Sequence, residues 1–339
     1  MCTDLRLIRL TGMHVSARTL DFSMELHSQV RVVPRGQQWS ATATGTDAPT
    51  LTWTNTLGFV AMDALGFADK FADGLNEAGL SVGTLWLPET TLPTTPPATG
   101  PALAVDFVSI AGWLLGTCRT VDDVKKAIAS VQVWNAPVKL MWPEGQPVPP
   151  AMASLMDWAP TEHLAIHDAH GGDIVIEFAR GTMSVYDNPV GVLTNSPTFD
   201  WHLTNLRNYV GLSNANAKPV TLAGFTVTPT GNGTGLAGIP GDVTPPSRFV
   251  RATVLAEVVT SAKDAHDAVN QAFHSLDLVS VPRFVVAEGD YTQWSVARDH
   301  DNLIYYVRAY DSWTTDAHDL RALGVAASGT PSTLPLPSI

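Results

Sequence analysis

The sequence predicts an α+β fold in which helices pack over stacked, mostly antiparallel β-sheets. Strand-like segments open and close the chain, helical segments form two groups between them, and no regular strand–helix alternation indicates a parallel sheet. We expect a single domain over residues 1–322. Residues 323–339 are mostly Ser, Thr, Pro and Ala, which predicts a poorly ordered tail.

The first twenty residues predict an opening hairpin. Leu5 and Leu7 are apolar at a spacing of two, which indicates a strand over residues 3–10. The Thr-Gly pair at 11–12 is typical of a turn, and a second strand follows over 14–18.

The region up to residue 130 predicts a strand, a loop and two helices. In chain order these are a turn at 73–80, a strand at 80–87, a Pro- and Thr-rich loop at 88–101 and a helix at 103–117. Thr120 and Asp123 have the spacing of a capping box, so a second helix should begin there and end near Ser130.

The second half of the chain predicts more strands and the second helix group. A Gly-Gly turn at 171–172 indicates a hairpin. The predicted strands are 164–168, 173–178, 183–186, 190–194, 293–297 and 303–309, the predicted helices are 248–260 and 261–275, and residues 201–241 resemble a loop.

Composition excludes several classes of function. The net charge of −12 argues against nucleic-acid and anionic-membrane partners, which need basic patches. No apolar stretch reaches the length of a membrane span. The start of the sequence lacks the pattern of a secretory leader. These patterns leave localisation open between a periplasmic protein, if Met1 replaces a leader, and otherwise a cytoplasmic one.

The two cysteines carry different expectations. Cys118 follows an apolar run, which is typical of a buried small side chain, although the count of two also permits a disulfide. Cys2 becomes N-terminal if Met1 is removed, as is usual before a small residue. Its own α-amine, with a pKa near 8, could then accept the thiol proton, so Cys2 is a candidate nucleophile.

Arg18 and Asp21, a cation and a carboxylate three residues apart, stand at the end of the opening hairpin. A neighbouring cation favours a thiolate, so Arg18 could stabilise the sulfur while Asp21 holds the amine. The alternative is a surface ion pair of little energetic consequence.

Five stretches, in this order, resemble the choloylglycine hydrolase family, which includes bile salt hydrolases and penicillin V acylases. They are residues 1–3 (MCT), 17–21 (ARTLD), 73–80 (DGLNEAGL), 194–201 (TNSPTFDW) and 238–251 (GIPGDVTPPSRFVR). The strands near the end of the chain also resemble the closing hairpin of the family, so the likeness extends over residues 2–312.

The resemblance implies a fold and a set of roles. Its members are N-terminal nucleophile hydrolases with a four-layer αββα sandwich. Cys2 would be the nucleophile, flanked by Arg18 and Asp21. Asn195 and the backbone N–H of Trp86 would hold the oxyanion, and Arg248 would complete the charge network. No cofactor and no metal are implied, and a homotetramer is expected.

Several large apolar residues, most of them aromatic, indicate which kind of acyl group the site would bind. Phe22, Met24, Trp86 and Trp142 could line an apolar pocket for a small-molecule acyl amide. Tryptophan at position 86, with Phe22, resembles the Gram-negative penicillin V acylases, which are linked to N-acyl-homoserine lactone deacylation. A conjugated bile salt is the alternative substrate.

Two rival functions remain open. The first is a metal-dependent hydrolase, which is suggested by a cluster of potential ligands in one segment: His163, His167, Asp168 and His170. Their spacing matches no common zinc motif. A non-catalytic relative that only binds a lipid or another ligand is the second rival.

Overall fold

The computed structural model describes residues 1–43, 48–96, 103–142, 145–148 and 150–337. The α-helices in these ranges are α1 (Ile110–Thr117), α2 (Val121–Ile128), α3 (Phe199–Asn205), α4 (Pro245–Val258) and α5 (Ala265–Asp277). The strands are β1 (Cys2–Arg6), β2 (Val15–Phe22), β3 (Val30–Val33), β4 (Gln38–Ser40), β5 (Thr52–Thr54), β6 (Phe59–Asp63), β7 (Phe71–Asn76), β8 (Ser81–Trp86), β9 (Leu103–Asp106), β10 (Val131–Trp134), β11 (Glu162–His167), β12 (Asp173–Ala179), β13 (Thr182–Asp187), β14 (Val192–Leu193), β15 (Val220–Leu222), β16 (Phe225–Val227), β17 (Tyr291–Asp299), β18 (Ile304–Ala309), β19 (Asp316–Asp319) and β20 (Ser332–Leu334).

Two large antiparallel sheets stack between two helical layers. The first sheet has the order β14-β1-β2-β17-β18-β19, and the second has the order β13-β12-β11-β8-β7-β6-β3-β20. Helices α4 and α5 pack on the first sheet, while α1 packs on β7 and β8 of the second. The predicted αββα sandwich is therefore confirmed.

The buried side chains explain this layering. One core joins α4, α5 and the facing sides of both sheets, and includes Phe249, Val296 and Leu85. A second core joins the outer face of the second sheet to α1 and α2, and includes Leu114 and Ile166. The second sheet thus buries both of its faces, and its central strands β7, β8 and β11 are buried at nearly every position.

The opening hairpin is present, but its ends differ from the prediction. β1 ends at Arg6, whereas β2 continues four residues past Arg18 to Phe22. Cys2 pairs with Leu20, and Asp4 pairs with Arg18. The alternation of apolar residues in the sequence correctly located the hairpin. The end of β2 depends on its second neighbour, β17, which pairs with β2 as far as Phe22.

Two predicted elements were partly wrong. The expected helix at 103–117 begins as strand β9, which pairs in parallel with β10, and becomes α-helical only at Ile110. In the expected turn at 73–80, the first four residues belong to β7. A strand is favoured there because Asp73 is fully buried and bonded to Arg298 and Tyr305.

The expected loop at 201–241 contains elements that the sequence pattern did not reveal. Helix α3 begins at Phe199, whose N–H donates to the Glu177 carboxylate of β12. β15 and β16 form a two-stranded hairpin farther along. Of the expected loop at 88–101, residues 97–101 lie outside the described residues.

The C-terminal segment, which was expected to be poorly ordered, contains a short strand. β20 pairs with β3, with Leu334 opposite Val30. Val325 is 1% exposed within the main core. The edge of β3 offers unpaired backbone groups, and the tail satisfies them despite its polar composition. A single domain over residues 1–322 stays a prediction.

Along the described ranges, no helix combines the length and the apolar character that crossing a membrane requires.

Candidate active site

Cys2 is the first residue of β1 and lines a mostly apolar cavity. It faces Leu20 across the strand pair, and Arg18 lies two residues before Leu20 on β2. Alternate residues of a strand share one face, so this register brings Arg18 to the side of the sulfur. Arg18 Nη2 lies 3.6 Å from Cys2 Sγ.

The guanidinium of Arg18 is fixed by the second sheet. Its Nη1 donates to the carbonyl of Ala72 and lies 3.3 Å from Asp73 Oδ2, and its Nη2 donates to the carbonyl of Thr84. Burial lowers the pKa of Arg18, but Cys2 and Asp73 outweigh that effect, so the pKa is raised overall. A permanent cation is thus held beside the sulfur.

Asn195 follows β14 and turns its side chain toward the start of β1. Its Oδ1 accepts from the Cys2 backbone N–H at 2.7 Å and from Arg248 Nη2 at 2.8 Å. These two donors identify the oxygen end of the amide. Its Nδ2 donates to the Trp86 carbonyl at 2.7 Å, and because an amide nitrogen carries two hydrogens, the second can serve a ligand.

Trp86 is the last residue of β8, and its carbonyl faces Asn195. The N–H and C=O of one residue in an extended strand point to the same side, so the Trp86 N–H also faces away from β11. The next residue, Leu87, instead donates toward Thr161. The two expected oxyanion donors are therefore neighbours.

Arg248 lies in the first turn of α4 and is fully buried. Its Nη1 donates to the Cys2 carbonyl and to Thr3 Oγ1, both at 2.5 Å, and its Nε donates to the Val243 carbonyl. Arg248 therefore ties α4 to the first two residues of β1 and orients Asn195 as well.

Asp21 lies near the end of β2, where its backbone is hydrogen-bonded to that of Met1. Met1 and Asp21 exchange two backbone hydrogen bonds, and the Met1 ammonium lies 3.3 Å from Asp290 Oδ1. Asp21 Oδ1 accepts from Thr292 Oγ1 at 2.6 Å, while Oδ2 makes no hydrogen bond among the described residues but forms an ion pair with Arg248 Nη1 at 3.8 Å. Burial raises the pKa of this carboxyl.

The cavity next to Cys2 has aromatic and aliphatic walls. Three of the four predicted pocket residues, Phe22, Met24 and Trp86, line it. Trp158 lines it too and packs against Phe22 with ring centroids 6.4 Å apart. No sequence motif marked Trp158, because it reaches the cavity from a segment that carries neither helix nor strand periodicity.

Trp142, the fourth predicted pocket residue, does not line the cavity. Its neighbour Met141 does, whereas Trp142 packs edge-on against Phe67 at 5.8 Å. Trp142 also donates from its indole nitrogen to the Gln146 carbonyl. The prediction missed by one residue because Met141 ends a 3₁₀ turn whose phase is not visible in the sequence.

The histidines that were considered as metal ligands form hydrogen bonds with protein groups instead. Both ring nitrogens of His163 face oxygens, of Glu177 and of the Thr194 backbone. His167 bridges Asp4 and Asp173. Over the described ranges, no three His, Cys, Asp or Glu side chains converge as a metal site would require.

The assembled groups match the needs of acyl transfer. A sulfur lies beside a fixed cation, the Asn195 amide contacts Trp86, and Cys2 and Trp86 both line an apolar cavity.

Comparison with known proteins agrees with this chemistry. The family model for linear amide C–N hydrolases of the choloylglycine hydrolase family matches residues 2–329. The bile salt hydrolase/transferase of Clostridium perfringens is 30% identical over 325 residues, which cover 94% of this chain and 92% of that protein. The penicillin V acylase of Pectobacterium atrosepticum is 27% identical over 338 residues, covering 93% and 79%.

A solved structure gives the same result for the fold. The conjugated bile acid hydrolase from Clostridium perfringens superposes with a TM-score of 0.82 at 28% identity, covering 100% of this chain and 99% of that one.

Proposed function

This chain belongs to the choloylglycine hydrolase family of linear amide C–N hydrolases, and on that premise we propose that Cys2 cleaves the amide bond of an apolar acyl group. The observation that carries the proposal is the position of the Cys2 sulfur, 3.6 Å from Arg18 Nη2 and on the wall of the apolar cavity.

Activation requires the removal of Met1. With Met1 in place the nitrogen of Cys2 is a peptide nitrogen, which cannot accept a proton. Removal turns it into an amine beside Asn195 Oδ1, which can accept a hydrogen bond from it. Asp21, which is paired with Arg248 and bonded through its backbone to Met1, is the second group assigned to hold the amine. The amine then takes the thiol proton, and Arg18 stabilises the resulting thiolate.

The reaction proceeds through a thioester. The Cys2 thiolate attacks the amide carbonyl, and the oxyanion accepts from Asn195 Nδ2 and the Trp86 N–H. The C–N bond breaks as the Cys2 ammonium gives its proton to the leaving amine. Water then adds to the thioester, its proton passes to the Cys2 amine, and the acid leaves as the thiol re-forms.

The cavity walls favour a flat aromatic or extended fatty acyl group. Phe22, Trp86 and Trp158 offer ring faces, and Met24 and Met141 offer adaptable contacts. Penicillin V, with its phenoxyacetyl group, and N-acyl-homoserine lactones carry acyl groups of this kind.

Conjugated bile salts are the second candidate substrates. The specific observation in their favour is the 30% identity to the bile salt hydrolase/transferase of Clostridium perfringens over most of both chains.

One set of rate measurements tests the proposal. The mature enzyme is assayed with penicillin V, a glycine-conjugated bile acid and a long-chain N-acyl-homoserine lactone, beside Cys2→Ala. We expect at least one amide to be hydrolysed, Cys2→Ala to be inactive, and intact mass spectrometry to show Met1 missing. Hydrolysis by Cys2→Ala, or by protein that retains Met1, contradicts the mechanism.

A further inference from the structure

We propose that two buried histidines, His163 and His202, are positioning residues that hold the backbone of residues 194–195 so that the Asn195 amide faces the oxyanion. This inference rests on the proposed function, because it assigns a role in the same reaction.

The backbone around Asn195 needs support from outside the sheet. Strand β14 ends at Leu193, so its pairing with β1 stops just before Thr194 and Asn195. Helix α3 begins only at Phe199. Regular secondary structure therefore does not fix the carbonyls of residues 194 and 195, and buried carbonyls need other donors.

His202 supplies one of these donors. It lies on α3, is fully buried, and its Nε2 lies 2.8 Å from the Asn195 carbonyl oxygen. Burial lowers the pKa of His202 to about 4, so the ring is neutral near pH 7. A carbonyl can only accept, so the one hydrogen must be on Nε2, and Nδ1 has no partner among the described residues.

The ring of His202 is also fixed in orientation. It stacks on Phe249 of α4 with centroids 4.5 Å apart and an interplanar angle of 14°. Trp201 meets it edge-on at 5.5 Å. The donor direction is thus set by packing, which is what a positioning group requires.

His163 supplies the second donor, from β11. Its Nε2 lies 2.9 Å from the Thr194 carbonyl oxygen, and its Nδ1 lies 3.0 Å from Glu177 Oε1. The same Glu177 oxygen accepts from the Phe199 N–H at the start of α3. His163 and His202 therefore hold consecutive carbonyls from two different elements, β11 and α3.

The consequence for catalysis follows from the bonds of Asn195. Its side chain is held by Arg248 and the Trp86 carbonyl, but the side chain can point correctly only if its backbone stays in place. Removal of an oxyanion donor typically costs about 10²–10³ in rate, and a displaced donor should cost part of that.

The test uses His202, since removing His163 would leave the buried Glu177 carboxylate with the Phe199 N–H as its one remaining donor among the described residues. His202→Phe keeps a ring against Phe249 but lacks the donor, and His202→Gln restores an N–H near the position of Nε2. We expect kcat to fall about 10- to 100-fold in His202→Phe with KM nearly unchanged, and His202→Gln to recover most of it.

A second measurement needs no substrate. Hydrogen–deuterium exchange of the peptide spanning residues 193–198 should be faster in His202→Phe than in wild type, and slower again in His202→Gln. Unchanged exchange and kcat in a folded His202→Phe, or no recovery with Gln, would overturn the inference. If no amide is hydrolysed by wild type, the proposed function fails, while the exchange data still decide the positioning role.

Discussion

The two thiols of this chain are both buried but have different neighbours. Cys118 is 3% exposed and, chiefly through burial, its pKa is raised to about 11. Cys2 lies on the cavity wall beside Arg18. At pH 8 only about one Cys118 in a thousand is a thiolate, the form that reacts with alkylating agents.

We therefore expect iodoacetamide at pH 8 to label Cys2 well before Cys118, with loss of activity following the label on Cys2. Peptide mass mapping over a time course measures both. Labelling of Cys118 first, or full labelling of Cys2 with activity retained, would contradict the assignment of Cys2 as nucleophile.

Glu162 is a carboxyl on an otherwise largely apolar cavity wall. It faces Trp86 across the pairing of β11 and β8. Burial raises its pKa, although Thr84 and Arg18 act in the opposite direction. The charged form is desolvated when an apolar acyl group binds, so it should weaken that binding.

Replacing Glu162 with Gln should lower KM for an apolar acyl amide about 3- to 10-fold above the pKa of the carboxyl. In wild type, KM should fall as the pH is lowered through that pKa, since the neutral form replaces the charge, and the variant should lose this dependence. Glu257→Gln, at an exposed site, is the matched control. An equal KM in wild type and Glu162→Gln at all pH values would disprove the effect.

The site was only partly predictable from residue types. An N-terminal thiol, and a cation and a carboxylate at the end of a hairpin, follow from local sequence and elementary chemistry. The pairing of Asn195 with Cys2, and of Asn195 with Trp86, joins residues far apart in the chain, and only the family motifs indicated it. Trp158 and Glu162 had neither a local signal nor a motif.

Short elements were predicted where their signals are local. The capping box of α2 is present as expected, with the Thr120 side chain accepting from Asp123. The strands β3 to β6 were not predicted. In β6 the side chains of Val60 and Phe59 enter different cores. A strand buried on both faces loses its alternation, and periodicity cannot then distinguish it from a helix.

The C-terminal strand β20 should contribute to stability through the edge it covers. Its pairing protects β3, where Val30 and Val32 are buried, and Arg31 donates to Thr333 Oγ1. A chain ending at residue 330 should lose roughly 1–3 kcal/mol of unfolding free energy, about the value of one buried leucine. Chemical denaturation measures this.

Thr333→Ala serves as the control for this truncation, because it removes only the bond to Arg31 and should cost under about 1 kcal/mol. Catalysis at low temperature should survive the truncation, since the described cavity lining includes no residue of β20. A truncated chain as stable as the full one would show that the pairing is energetically unimportant.

Assembly of the whole protein remains to be measured. The homotetramer and the single domain over residues 1–322 stay predictions. Light scattering in solution decides the first, and one cooperative unfolding transition seen by two probes supports the second.

A chain of charges crosses the space between the two sheets. Asp73 accepts from Arg18 and Arg298, Arg298 also donates to Asp4, and Asp4 in turn bonds His167 at 2.6 Å. Charges buried this deeply are stable only when paired, so the network joins the sheets in one relative position. It also connects that position to the cation beside Cys2.

His167 makes this network sensitive to pH. Burial alone would lower its pKa, but Asp4 and Asp173 raise it from 6.5 to about 9. Asp4 has its own pKa held well below the usual range; burial opposes this, and Arg298 and His167 outweigh it. Asp4 is therefore charged throughout the range from pH 5 to 10, while His167 changes its charge within that range.

The sign of the effect on stability follows from linkage. A pKa raised by folding contributes stability that is complete below the unfolded value of 6.5 and is lost as the pH rises through about 9. The contribution is at most about 3 kcal/mol.

We expect wild type to be more stable than His167→Gln at pH 6, and the difference to shrink toward pH 10. His266→Gln, at an exposed position, should show no such trend in guanidinium unfolding. A difference that stayed constant or grew with pH would mean that His167 is not charged in the folded protein, and that the sheets are held together without it.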